Sequence, residues 1–164
     1  MLIKGLVDES FVDYKKPCMY IAFPKCSFKC DKEAGCSICQ NSRLAHEEDI
    51  DMPIVKIINR YVNNPITKAI VMSGLEPFDS WESLLSLIIN LRYYTNDDII
   101  IYTGYTEEEL ETTYFNGHLL LETLSLYENI IIKFGRFIPN QEKHYDEILG
   151  VELASPNQYA RRIS

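Results

Sequence analysis

CMYIAFPKCSFKC, residues 18–30, opens as an unbroken run of apolar and aromatic side chains and closes on a proline and two cysteines. Six residues of that character with no polar alternation suit a β-strand covered on both faces. Three later runs share it: TKAIVMS (67–73), DIIIYT (98–103) and NIIIKF (129–134). Between them the periodicity changes to that of helices. In MPIVKIINRYV (52–62), Ile54, Ile57, Ile58 and Tyr61 fall at i, i+3, i+4 and i+7 behind Asp51 and Pro53. Asp79 and Glu82 have capping-box spacing at the head of SWESLLSLIINLRYY (80–94). Thr106 and Glu109 repeat the device before a third helical region, interrupted near Asn116-Gly117 and resumed in HLLLETLSLY (118–127).

Alternating strands and helices predict right-handed βαβ crossovers and a parallel sheet. The expected fold is α/β, an open partial (βα) barrel with about four to five parallel strands, too few for the eight-unit barrel. A single domain over residues 1–164 is expected, with an irregular segment after Phe137. Reactive groups of such sheets gather at the carboxyl ends of the strands. PKCSFKC (24–30), GLEPFD (74–79), TGYTEEE (103–109) and FGRFIPN (134–140) therefore share one rim.

Composition narrows the function. The balance of 16 Lys and Arg against 24 Asp and Glu gives a formal charge of −8, which disfavours nucleic acid and anionic membranes as partners. The N-terminus lacks the apolar core of a signal peptide, and no apolar run has the length of a membrane span, so a cytoplasmic, soluble protein is expected. Four of the five cysteines, Cys26, Cys30, Cys36 and Cys39, lie within 14 consecutive residues. Without an export signal, such a cluster points to a metal or redox site. Cys18, inside an apolar run, reads as a buried small hydrophobe. His46, His118 and His144 are scattered without ligand spacing.

The spacing Cys26-x3-Cys30-x5-Cys36-x2-Cys39 fits a closed four-thiolate zinc site. It also fits an iron–sulfur cluster, either for electron transfer or held by three thiolates with one iron open to a ligand. Spacing alone leaves these alternatives open.

The surrounding motifs resemble those of the radical S-adenosylmethionine enzymes. Within them, the chain is similar to the activating proteins of anaerobic ribonucleoside-triphosphate reductases, which are glycyl-radical-enzyme activases. FVDYKKPCMYIAFPKC (11–26) resembles the strand that leads into the family's Cys-x3-Cys-x2-Cys loop. CQNS (39–42) resembles its third cysteine with a following polar residue and Asn, and SGLEP (73–77) its Ser-Gly-Gly-Glu/Asp-Pro motif. IIIYTGYTEEEL (99–110), GRFI (135–138) and ASPNQYARRI (154–163) resemble its later strand and terminal segments.

The resemblance implies a 4Fe–4S cluster on Cys26, Cys30 and Cys39, with Cys36 as the alternative third ligand. It implies S-adenosyl-L-methionine at the open iron. Glu76 and the backbone around Gly74 would contact its amino group, Ile38 its adenine, and Ser73, Thr103 and Tyr105 the rest of the cofactor. One electron would cleave the sulfonium to methionine and a 5′-deoxyadenosyl radical. That radical would take hydrogen from a backbone glycine of a large glycyl-radical reductase subunit. The electron would come from a flavodoxin- or ferredoxin-type donor.

The chain departs from the pattern at four points. Eight residues separate Cys30 from Cys39 where the family has two, Leu75 replaces a Gly, Ile38 an aromatic residue, and Phe134 an acid. Two other functions stand beside the activase: a radical enzyme acting on a small molecule or peptide, as a deazapurine-forming synthase does, and a four-cysteine zinc interaction module.

Overall fold

A computed structural model describes residues 1–164. The chain opens with β1 (Leu2–Ile3), β2 (Gly5–Ser10) and β3 (Cys18–Phe23), and continues through α1 (Lys29–Ala34), α2 (Ser42–Ala45) and β4 (Ile50–Asp51). Then come α3 (Ile54–Val62), β5 (Ala69–Gly74), a 3-10 turn (Pro77–Ser80), α4 (Trp81–Arg92) and β6 (Asp98–Tyr102). α5 (Glu107–Glu111), β7 (Tyr114–Phe115), β8 (His118–Leu119) and α6 (Leu120–Ser125) lead to β9 (Ile130–Phe134). β10 (His144–Asp146), β11 (Val151–Leu153) and β12 (Tyr159–Arg162) complete it.

The four apolar runs of the sequence are the four inner strands of a six-stranded sheet, ordered β12-β9-β6-β5-β3-β2. β3, β5, β6 and β9 pair in parallel. The sheet is nevertheless mixed, because β2 and β12 close its two edges antiparallel. The stretch after Phe137 is more ordered than its composition suggests. β10 and β11 form a hairpin, and β12 returns along β9 with Tyr159 opposite Phe134.

Alternation along each inner strand sorts side chains onto two covered faces. Met19, Ile21, Phe23, Ile70, Met72, Ile99, Ile101, Ile130, Ile132 and Phe134 meet the helices in the larger core. Ile57, Ile58 and Tyr61 of α3 and Trp81, Leu84, Leu87, Ile88 and Leu91 of α4 supply its other half. Each such fully buried side chain contributes roughly 1.5–3 kcal/mol. Cys18, Val71, Ile100 and Ile131 face the other way, under Tyr14, Leu149, Leu153 and Ala160. Burial on both faces explains why these strands read as continuous apolar runs. It also places Cys18 in the core, its thiol donating to the Ser10 carbonyl oxygen at 3.6 Å.

Two of the three helix starts follow their sequence signals. Pro53 precedes α3, and Thr106 with Glu109 closes a reciprocal capping box on α5. The third does not. Asp79 makes no cap on α4, because a short 3-10 turn intervenes and Glu76 caps that turn by accepting from the Phe78 amide. Asn116 and Gly117 form the tip of the β7–β8 hairpin, both at positive φ.

Gly74, the last residue of β5, sits at φ +92°, and a Cβ there would lie 2.6 Å from the Ala22 Cα and 2.7 Å from the Phe23 nitrogen. Both the left-handed backbone and the close approach of β3 require glycine. Gly74→Ala is therefore expected to destabilise the fold by about 2–4 kcal/mol, read from the denaturation midpoint in urea. A loss below about 0.5 kcal/mol would contradict this packing.

Candidate metal centre

The carboxyl ends of the parallel strands converge on one cavity. Three same-face positions, Ser73, Tyr102 and Lys133, continue the rows of Val71, Ile100 and Ile131 and turn the sheet from apolar to polar at this edge. Cys26, Cys30 and Cys39 line the same cavity, together with Asn41, Gly74, Glu76, Thr103, Gly104 and Gln158. The three cysteines are half-buried, whereas Cys36 is exposed and lies outside the lining.

Backbone contacts fix the cysteine loop over the strand ends. The Glu76 amide donates to the Lys25 carbonyl at 2.8 Å, and the Asn41 side chain donates to the Gly74 carbonyl at 2.8 Å. Cys30 lies on α1, which leads into the eight residues that separate it from Cys39. Asp31 on that helix folds the insertion back by accepting from the amides of Ile38 and Cys39 at 2.9 and 2.8 Å. Lys29 pairs with Glu109 at 2.8 Å. Arg136, 7% exposed, pairs with Glu33 at 2.9 Å and Glu109 at 2.7 Å and also donates to the Gly104 carbonyl. Helix α1 is thereby tied to the loops that follow β6 and β9.

Glu76 is buried beneath the loop. Its Oε1 accepts from the Thr103 hydroxyl at 2.8 Å and the Phe78 amide at 3.2 Å, and its Oε2 from the Gly104 amide at 2.8 Å. A carboxylate has about four acceptor sites, so one is left for a donor in the cavity. Burial raises its pKa from 4.5 to about 7, partly offset by those three hydrogen bonds. Lys133, 6% exposed, donates to the Gly135 carbonyl at 3.0 Å. Burial lowers its pKa to about 8, against the opposing pull of Glu76 and Cys30. Burial also pushes the Cys26 thiol up to about 12 and raises that of Cys39. Iron bound to these sulfurs would displace their protons, so cluster assembly here is expected to be coupled to proton release.

The donor set fits an iron–sulfur cluster. Three thiols face one cavity, and a Cβ at Gly104 would enter it at 3.5 Å from the Cys30 Sγ and 3.6 Å from the Glu76 Oε2. The closed four-cysteine zinc site, with Zn–S of about 2.3 Å, needs all four thiolates drawn to one ion. Cys36 is exposed and lies outside the cavity that the other three line.

The residues singled out in the sequence divide. Ser73, Gly74, Glu76 and Thr103 line the cavity with Cys26, Cys30 and Cys39, whereas Ile38 and Tyr105 do not. The amide of Ile38 is held by Asp31, on the inserted turn. Tyr105 points its hydroxyl to Asp79 at 2.6 Å, while Lys29 lies 4.1 Å from its ring centre. Asp79 also accepts from the Ser27 amide, so this pair braces the cysteine loop from outside the cavity. Sequence reasoning missed Lys133, Arg136 and Gln158. The signal for Lys133 was present, as a charged residue closing the apolar run NIIIKF at a strand end.

An α/β domain whose sheet ends in a cavity lined by three thiols has donors for a metal cluster at its strand ends. Residues 18–154 match the family described as the 4Fe-4S single cluster domain, and the chain belongs to that family. No curated protein and no solved structure matches the chain. No helix is long and apolar enough to cross a membrane.

The folded protein holds a proton on Glu76 up to about pH 7 that the unfolded chain releases near 4.5. Stability from this group is thus complete below 4.5 and is lost as the pH rises through 7, at roughly 1.4 kcal/mol per unit. Glu76→Gln removes the dependence. In cluster-free protein, the variant is expected to gain about 2 kcal/mol on the unaltered chain between pH 5 and pH 8, measured by chemical denaturation. Parallel pH profiles would contradict the burial of this carboxyl.

Proposed function

We propose that the chain is a radical S-adenosylmethionine enzyme and that its open sheet is a partial barrel of that type. Cys26, Cys30 and Cys39 hold the cluster, leaving one iron for S-adenosylmethionine. The observation that carries the reading is the convergence of three thiols, and not four, with a buried carboxylate on one cavity at the ends of parallel strands. When bound, the cluster and its cofactor supply a one-electron cleavage of the sulfonium to methionine and a 5′-deoxyadenosyl radical.

The chain's own residues bind and orient. Glu76 has an acceptor site free for the cofactor's ammonium, a charge-assisted contact that suits a carboxylate. An ammonium there favours the ionised carboxylate, so binding releases the Glu76 proton and tightens as the pH rises toward about 7. Ser73, Thr103 and the Gly74 backbone shape the same wall, and Asn41 ties the cysteine loop to it. Tyr105 is left out of the binding set.

The substrate we assign is a glycine-bearing segment of a large anaerobic reductase, with a flavodoxin- or ferredoxin-type donor. A cavity at the strand ends that is not enclosed suits an inserted protein loop better than a sequestered small molecule.

The test uses anaerobically purified and reconstituted protein. About four irons and matching sulfide per chain are expected, with 5′-deoxyadenosine formed once dithionite and S-adenosylmethionine are added. Cys36→Ala is expected to keep both cluster and product, and Cys39→Ala to lose both. Zinc without iron, or a full cluster that yields no 5′-deoxyadenosine, would overturn the proposal. Product without an electron paramagnetic resonance signal on a co-purified glycyl-radical reductase would assign a small-molecule or peptide substrate instead.

A further inference from the structure

Among the residues that line the thiol cavity, Lys133 is the only cation and Glu76 the only carboxylate. Lys25, Lys32 and Arg43 stand in or beside the cysteine loop but outside that lining, and two further cations near it are held in ion pairs. Lys29 pairs with Glu109, and Arg136 with Glu33 and Glu109. Lys133 makes no ion pair. Its ammonium donates to the Gly135 carbonyl, which also accepts from the Gln158 amide at 3.4 Å. Gly135 is held in turn, its own amide donating to the Tyr105 carbonyl at 2.9 Å. The charge is therefore carried on a fixed strand end, 6% exposed, and shares its cavity with Cys26, Cys30 and Cys39.

We propose that Lys133 sets the reduction potential of the cluster, its buried ammonium stabilising the reduced form over the oxidised one. The inference rests on the cluster reading given under Proposed function. Reduction moves one electron from an external donor to the cluster, with no bond made or broken, so the reduced form carries one more negative charge. A cation inside a poorly polarisable cavity lowers the energy of that extra charge far more than one in water would. Net charge, hydrogen bonding and solvent exposure are the levers by which a protein moves an iron–sulfur potential. Lys133 acts through the first of these. It touches no reacting atom and is a positioning residue of charge.

The sign separates this role from a structural one. Loss of a positive charge disfavours reduction and moves the midpoint to more negative values. Loosening of the strand end admits water, which stabilises the more highly charged reduced cluster and moves the midpoint the other way.

The experiment is a redox titration of the reconstituted full chain without S-adenosylmethionine, followed by electron paramagnetic resonance of the reduced cluster. Lys133→Met keeps the alkyl stem and loses the charge. Lys133→Gln loses the charge and keeps a donor for the Gly135 carbonyl, and it serves if the methionine variant does not fold. For either, the equilibrium constant for reduction is expected to fall about tenfold, a shift of about 59 mV to the negative. Lys133→Arg is expected to stay within a third of that shift. An unchanged midpoint or a positive shift in the charge-loss variants, with the cluster loaded, overturns the assignment to Lys133 alone. Failure of the unaltered chain to take up iron and sulfide overturns the cluster reading and this proposal with it.

Discussion

Parallel registration of β3, β5, β6 and β9 is the constraint on which the rest of the molecule depends. Parallel strands place all their carboxyl ends at one edge, and each must be left by a connection that crosses a face of the sheet. The loops after these strands therefore meet in space although they are far apart in sequence. The cysteine loop follows β3, the Glu76 turn follows β5, Thr103 and Gly104 follow β6, and the Gly135–Arg136 turn follows β9. Without that registration, Cys26 and Lys133 would have no reason to share a cavity.

The same edge shows how the chain keeps a polar site beside a large apolar core. Two residues beyond Val71, Ile100 and Ile131 the inward face changes to Ser73, Tyr102 and Lys133, so one pleat separates core from cavity. Glu76 accepts three hydrogen bonds there, and burial outweighs them to raise its pKa. Gly74 supplies backbone where a side chain would intrude on β3, and Gly104 lies beside the Cys30 sulfur.

The inserted loop is the feature in which this chain departs most from the pattern it resembles, and the structure shows how the insertion is accommodated. The short helix that leads into it carries Lys29 and Glu33, which pair with Glu109 and Arg136. Glu109 serves twice, since it also closes the capping box of α5. Against the pull of burial, the hydrogen bonds of Arg136 and Lys29 lower its pKa to about 2. One carboxylate thus couples a helix start to the placement of the cysteine loop. Cys36 is exposed on the insertion and lies outside the cavity that Cys26, Cys30 and Cys39 line.

Much of this was legible in the residues themselves. Four inner strands, the α3 register and the Thr106–Glu109 cap follow from periodicity and from local hydrogen-bonding chemistry, which act over a few residues and leave their mark in sequence. The cysteine cluster and the Ser-Gly-x-Glu-Pro turn were equally plain. What the sequence did not fix was long-range. Asp79 had the spacing of a cap but was taken by Ser27 and Tyr105, far away in the chain. The residues after Phe137 carried weak strand signals and found order only against β9. Lys133 sat in an apolar run whose face assignment depends on neighbours in the sheet. Which cysteines face inward, and which charges are left unpaired beside them, is a matter of where separate loops meet, and only the tertiary structure decides that.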